Sequence, residues 1–176
     1  MTIKLDGNIC NYSSDDLGNI IDSETIRKSW IGNVYTELID SKLRKPQRGA
    51  LYALKAHFTT TNQEATIVMP TGTGKTETML AYIVSERLRK ILIIVPSSLL
   101  REQTFNKCKN MGLIKEFGIL GEDAILPNVS MINHIPSSSE ILEEIIQKSN
   151  IVVTTINIVS KFEDKYIEIL KKTYQI

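Results

Sequence analysis

A chain of 176 residues fits one domain, or one domain with a short appendage, and is long enough to bury a core. Its formal net charge of +1 supplies no global positive field, so any nucleic-acid contact has to come from a local surface. Cys10 and Cys108 have no CxxC spacing and no clustered histidines beside them, which excludes a disulfide scaffold and argues against zinc. With no signal-peptide core and no run approaching roughly 20 apolar residues, the expectation is a soluble, reduced, cytoplasmic protein without a membrane partner.

Residues 1 to about 22 are rich in turn formers and poor in periodicity, and are expected to form a loose leader or part of a lost domain. From Ser23, the residues Ile26, Trp30, Val34 and Leu38 recur at helical spacing beside Ile31, Tyr35 and Ile39, which predicts an amphipathic helix to about Leu43. Trp30 is expected as a core anchor. Pro46 sits in the first turn of a second helix, continued by Leu51, Leu54, Lys55 and Phe58, and the basic run around it reads as a solvated face.

Ala65 to Met69 is expected to form a buried parallel strand that breaks into Pro70-Thr71-Gly72-Thr73-Gly74-Lys75-Thr76. Gly72 and Gly74 let the backbone turn so that successive N–H groups from Thr71 to Gly74 face an anion. The helix that follows adds the positive end of its dipole at the same place. Lys75 then carries a charge to the β- and γ-phosphates of a nucleotide, and Thr76 offers a hydroxyl to Mg²⁺. Met79, Leu80, Ile83, Val84 and Leu88 form the apolar stripe of this helix.

Ile91 to Val95 and Ile151 to Thr155 are short, apolar, β-branched runs of the kind found in parallel strands covered on both faces. After the first of them, the hydroxyls of Ser97 and Ser98 and the free N–H groups of a helix start suit phosphate oxygens. Residues 110–136 are the least regular part, with short strand candidates at Phe117 to Gly121 and Val129 to Ile132. Ser137-Ser138-Ser139-Glu140 has capping-box spacing and opens a helix through Ile146. His57 and His134 read as structural, Glu143-Glu144 as a solvated face. A last helix is expected from about Asn157.

Pro70 to Thr76 closely resembles the nucleotide-binding motif of superfamily 2 helicases and translocases, the DEAD/DEAH-like group that includes the motor subunits of restriction enzymes. Met69 stands where the strict pattern has Gly, so the match is to the relaxed form ending in Gly-x-Gly-Lys-Thr. Leu43-Arg44 with Pro46-Gln47 resembles the upstream glutamine motif, Pro96 to Gln103 the motif after the next strand, and Asn150 to Thr155 a strand ending in a contact threonine. The resemblance implies that Gln47 reads adenine, since an amide both donates and accepts. It implies that Ser97, Ser98 and Arg101 hold the nucleic-acid backbone, with serines where the family usually has Thr or Arg, and that Thr155 touches the tracked strand. It also implies an Asp-Glu-x-His or Asp-Glu-Ala-Asp strand for Mg²⁺ and the attacking water. Asp123 and Glu163-Asp164 do not have the setting of such a strand, and the family order puts it shortly after Ile176.

The expected architecture is α/β: a RecA-like, mostly parallel sheet with helices on both faces, of the phosphate-loop NTPase kind and incomplete. Residues 1–42 form a leader and helical appendage, and residues 43–176 the first ATP-binding lobe. The expected function is to bind ATP and Mg²⁺ as one lobe of an ATP-dependent helicase or translocase. Hydrolysis and movement on DNA, favoured over RNA by the look of the loop, need a second RecA-like lobe in cis or in trans. This chain alone is expected to bind ATP without hydrolysing it. The alternative is a non-catalytic ATP-binding interaction module, and a phosphate-loop kinase is a remoter third.

Overall fold

The computed structural model describes residues 1–31 and 42–174. Strands β1 (Thr2–Leu5) and β2 (Asn8–Asn11) come first, then helices α1 (Ser23–Ser29), α2 (Lys45–Thr60) and α3 (Lys75–Ser85). Strand β3 (Ile91–Val95), helix α4 (Ser98–Asn110), strand β4 (Val129–Met131) and helix α5 (Ser139–Lys148) follow. The chain continues through β5 (Ile151–Thr155), the short α6 (Ile156–Val159) and α7 (Asp164–Tyr174).

The five strands form one sheet in the order β1-β2-β4-β5-β3. β5 pairs in parallel with β3 and with β4, whereas β1–β2 and β2–β4 are antiparallel. The sheet is therefore mixed, and the expectation of a mostly parallel one holds only for the β4–β5–β3 half.

The antiparallel half is built by the segment expected to be a loose leader. Asp6 and Gly7, with φ of 48° and 73°, make the two-residue turn whose positive angles match the twist of a hairpin. Cys10 and Tyr12 bury their side chains against Ile132, Leu142 and Val152. Buried Asn128 fastens the rest of the leader, accepting from the Ser13 N–H at 2.8 Å and donating to the Ile21 carbonyl at 2.8 Å.

Helices cover both faces. Ile151 and Val153 of β5 face Leu51, Leu80, Ile83 and Phe105, while Val152 between them faces Leu142, Ile145, Tyr166 and Leu170, the period-two alternation of a strand. Trp30 is fully buried in the first cluster and donates from Nε1 to the Ile125 carbonyl at 3.0 Å, as its place in the apolar stripe predicts. Asp22 caps α1, and Trp30 ends it. The continuation expected through Val34, Tyr35, Leu38 and Ile39 lies outside the described residues.

Ala65 to Met69 does not form a strand. Only Met69 in this run is buried, and Val68 is 89% exposed. A strand persists when a neighbour takes up its N–H and C=O groups and something covers its side chains, and none of the sheet's strands lies beside these residues. An apolar cavity of about 210 Å³, lined by Leu54, Ile67, Met69, Met79 and Tyr82 among others, opens beneath the run. Phe117 to Gly121 likewise forms turns and not a strand.

Candidate nucleotide site and nucleic-acid surface

Pro70 to Gly74 makes a turn that delivers the chain into α3. Gly72 and Gly74 have φ of 79° and 86°, in the left-handed region that favours glycine, and Gly74 is the N-cap of α3. The loop is fixed by donors aimed at its carbonyls. Arg44 Nη1 donates to the Gly72 carbonyl at 3.0 Å, while Gln47 Nε2 and Thr78 Oγ1 donate to that of Gly74 at 3.1 and 3.0 Å. A methyl group on Gly74 would displace the Gln47 amide that holds the loop, and the left-handed angle itself favours glycine.

The Lys75 ammonium donates to the Pro70 carbonyl at 3.1 Å, and Thr73 Oγ1 donates to the same oxygen at 2.7 Å. Both side chains are folded onto their own loop, and Lys75 is exposed. A single exposed carbonyl is a weak partner that a phosphate oxygen can replace. Thr76 is half-buried and makes no side-chain hydrogen bond. The groups present fit a polyphosphate with its magnesium ion: a glycine turn at a helix start, one exposed ammonium held by a single carbonyl and one hydroxyl without a partner.

Gln47 is 2% exposed, and both ends of its amide are engaged. Its Oε1 accepts from the Arg44 N–H at 2.9 Å while Nε2 holds the loop. It joins the first turn of α2 to the first turn of α3, a loop-positioning role that the adenine expectation did not include.

Three further charges escaped the sequence reading. Arg44 belongs to a run taken as a solvated face, yet it holds Gly72. Glu77, two residues past Lys75, is buried and accepts from Lys107 Nζ of α4 at 2.5 Å. Burial pushes its carboxyl up, but the hydrogen bond from Lys107, a backbone hydrogen bond and the charges of Lys107 and Arg44 together outweigh this and hold it below the usual value. Its place in the first helical turn was the available signal, because a carboxylate is favoured there.

The sheet brings the expected nucleic-acid contacts to one end. Val95 of β3 lies opposite Thr155 of β5, so Ser97, Ser98 and Thr155 sit at the carboxyl ends of adjacent parallel strands. Ser97 caps α4 by accepting from the Leu100 N–H at 3.3 Å, and Ser98 is exposed. Thr155 is buried and makes no side-chain hydrogen bond. Arg101 points inward: it is 9% exposed, donates from Nη1 to the Ile132 carbonyl at 3.4 Å, and leaves Nε without a partner. Among the described residues no group of acids and histidines could hold a metal, and Asp123 and Glu163 are both exposed.

A glycine turn at a helix start, in a mixed α/β fold whose parallel strands end in hydroxyls, is consistent with a RecA-like fragment, and the family match makes it a superfamily 2 N-terminal ATPase-type domain. Residues 40–176 match the family model for the type III restriction enzyme res subunit, and the chain belongs to that family. No curated protein and no solved structure matches it. No helix among the described residues is long and apolar enough to cross a membrane.

Proposed function

We propose that this chain is the ATP-binding lobe of an ATP-dependent translocase or helicase that acts on DNA in the cytoplasm. The observation that carries the reading is the loop from Thr71 to Gly74, turned by Gly72 and Gly74 and followed by an ammonium held by one carbonyl. Lys75 leaves Pro70 for the phosphates, the backbone N–H groups from Thr71 to Gly74 wrap them, and Thr76 ligates Mg²⁺. Bound magnesium neutralises charge on the β- and γ-phosphates. Gln47 reads adenine by exchanging its bonds to Arg44 and Gly74 for the edge of the base.

Ser97, Ser98, Arg101 and Thr155 form the surface for a nucleic-acid backbone. The unpartnered Nε of Arg101 supports an anion contact, because a buried guanidinium atom without an acceptor is costly. The described residues bring no carboxylate pair to a strand end, so hydrolysis falls to a further strand and a second RecA-like lobe. Residues 1–42 serve as an appendage whose hairpin extends the sheet of the lobe in 43–176.

Competition against a fluorescent ATP analogue tests the proposal. ATP and ADP with Mg²⁺ should displace it and adenosine should not, with phosphate release by this chain at background. Displacement by adenosine as strong as by ATP would remove the phosphate loop from the binding energy.

A further inference from the structure

The carboxyl ends of β4, β5 and β3 lie side by side in that order, about 4.8 Å apart per strand. At the β4 end of this row a cavity of about 450 Å³ opens between the loop after β4 and α6. Its size lies in the range of small-ligand sites, about 300–1,000 Å³. The lining is Asn133, His134, Ile135, Asn157, Ile158 and Lys161.

Three polar side chains of this lining are unused, whereas His134 is tied to the hairpin. Asn133 bonds only through its backbone N–H, to Asn8 Oδ1 at 2.8 Å, and Asn157 accepts only at its carbonyl, from Ser160. Neither amide side chain nor the Lys161 ammonium has a partner among the described residues. Ile135 is exposed and Ile158 is buried, so the lining carries apolar as well as polar side chains.

The rim is held in place by the N-terminal hairpin. Asn8 Oδ1 accepts from the N–H groups of Asn133 and His134, His134 Nε2 lies 2.6 Å from the Asp6 carbonyl, and Asp6 Oδ2 accepts from the Ser137 N–H at 2.7 Å. A preformed site loses less entropy on binding than a floppy one.

An isolated phosphate is best met by several converging cations or N–H groups. Two neutral amides beside an apolar wall instead match the edge and face of a heteroaromatic ring. We propose that the cavity takes one unstacked nucleobase of a single strand lying across the ends of β3, β5 and β4, with Lys161 on the adjoining phosphate. This rests on the nucleic-acid part of the proposed function and adds base contact to a surface otherwise limited to the backbone.

The test is fluorescence anisotropy with a short deoxyoligonucleotide and an abasic strand of the same length. The wild-type chain binds the base-bearing strand at least about fivefold more tightly, the lower bound for one good amide–base edge contact. Asn133→Ala with Asn157→Ala brings that ratio close to one and leaves affinity for the abasic strand unchanged. Lys161→Ala weakens both strands alike and lowers the salt slope by about 1. If the double variant does not fold, Asn157→Ala alone, at an exposed position, reduces the ratio.

Equal binding of the two strands by the wild type, or a ratio that survives in the amide variants, overturns the proposal. Failure to bind either strand overturns it together with the nucleic-acid surface, and leaves the ATP site to stand on its own measurements.

Discussion

Two stretches of similar composition have opposite fates in this protein. Ile151-Val152-Val153-Thr154-Thr155 is buried at all five positions, whereas Ala65-Thr66-Ile67-Val68-Met69 is exposed except at its last residue. Both are apolar, β-branched and placed just before a candidate functional turn. The difference is pairing: β5 has a parallel neighbour on each side, and the segment before the phosphate loop has none. Apolar pattern gives a stretch its propensity, but the partner strand decides whether it becomes part of the sheet. The loop keeps its shape without a strand behind it because Arg44, Gln47 and Thr78 hold its carbonyls from α2 and α3.

The largest expected effect lies in the paired strand. Ile151→Ala should lower unfolding free energy by about 2–5 kcal/mol, the cost of an aliphatic truncation in a packed core, measured by urea denaturation. Next is Lys90, whose ammonium donates to the carbonyls of Ile146, Gln147 and Ser149 at 3.0, 2.7 and 2.6 Å at the end of α5. Lys90→Met strands those oxygens and should cost about 1–3 kcal/mol.

A smaller effect, visible only in acid, belongs to Glu77. Its folded pKa is depressed, so its contribution is complete above the unfolded carboxylate range near about 4.3. That contribution disappears as pH falls through the lower folded value. The stability of Glu77→Gln should therefore decline less steeply than wild type between about pH 5 and pH 3, seen in urea midpoints across that range. At the other extreme, Val68→Ala should stay within about 0.5 kcal/mol of wild type. A loss as large as that of Ile151→Ala would mean the two stretches are covered alike, and the comparison would fall.

What could be read from the sequence was chemistry that acts locally. The positive φ of Gly72 and Gly74 and the burial of Trp30 follow from residue type and spacing, and the serine run before α5 marked its start to within one residue, the cap being Ser138 and not the Ser137 that capping-box spacing to Glu140 implies. β3 and β5 were legible because their apolar runs happen to find each other. Residues 65–69 carry the same signal, and sequence alone does not reveal a missing partner.

The hairpin was legible in principle: Asp6-Gly7 stands between Ile3, Leu5 and Ile9, a strong turn signal. It was hidden by the Asn and Ser residues that follow. The motif resemblance placed Arg101 beside the strand end but gave no sign that its side chain is buried. Its burial comes from reaching across to Ile132, a contact 31 residues away.

The central claim is that a main-chain turn and the Lys75 ammonium grip a triphosphate. Isothermal titration of ATP with Mg²⁺ into wild type and Lys75→Ala, with melting curves to confirm that both are folded, tests it directly. Saturable binding by wild type that is lost in Lys75→Ala is the predicted result. Equal heats and equal affinity in the two proteins would contradict it.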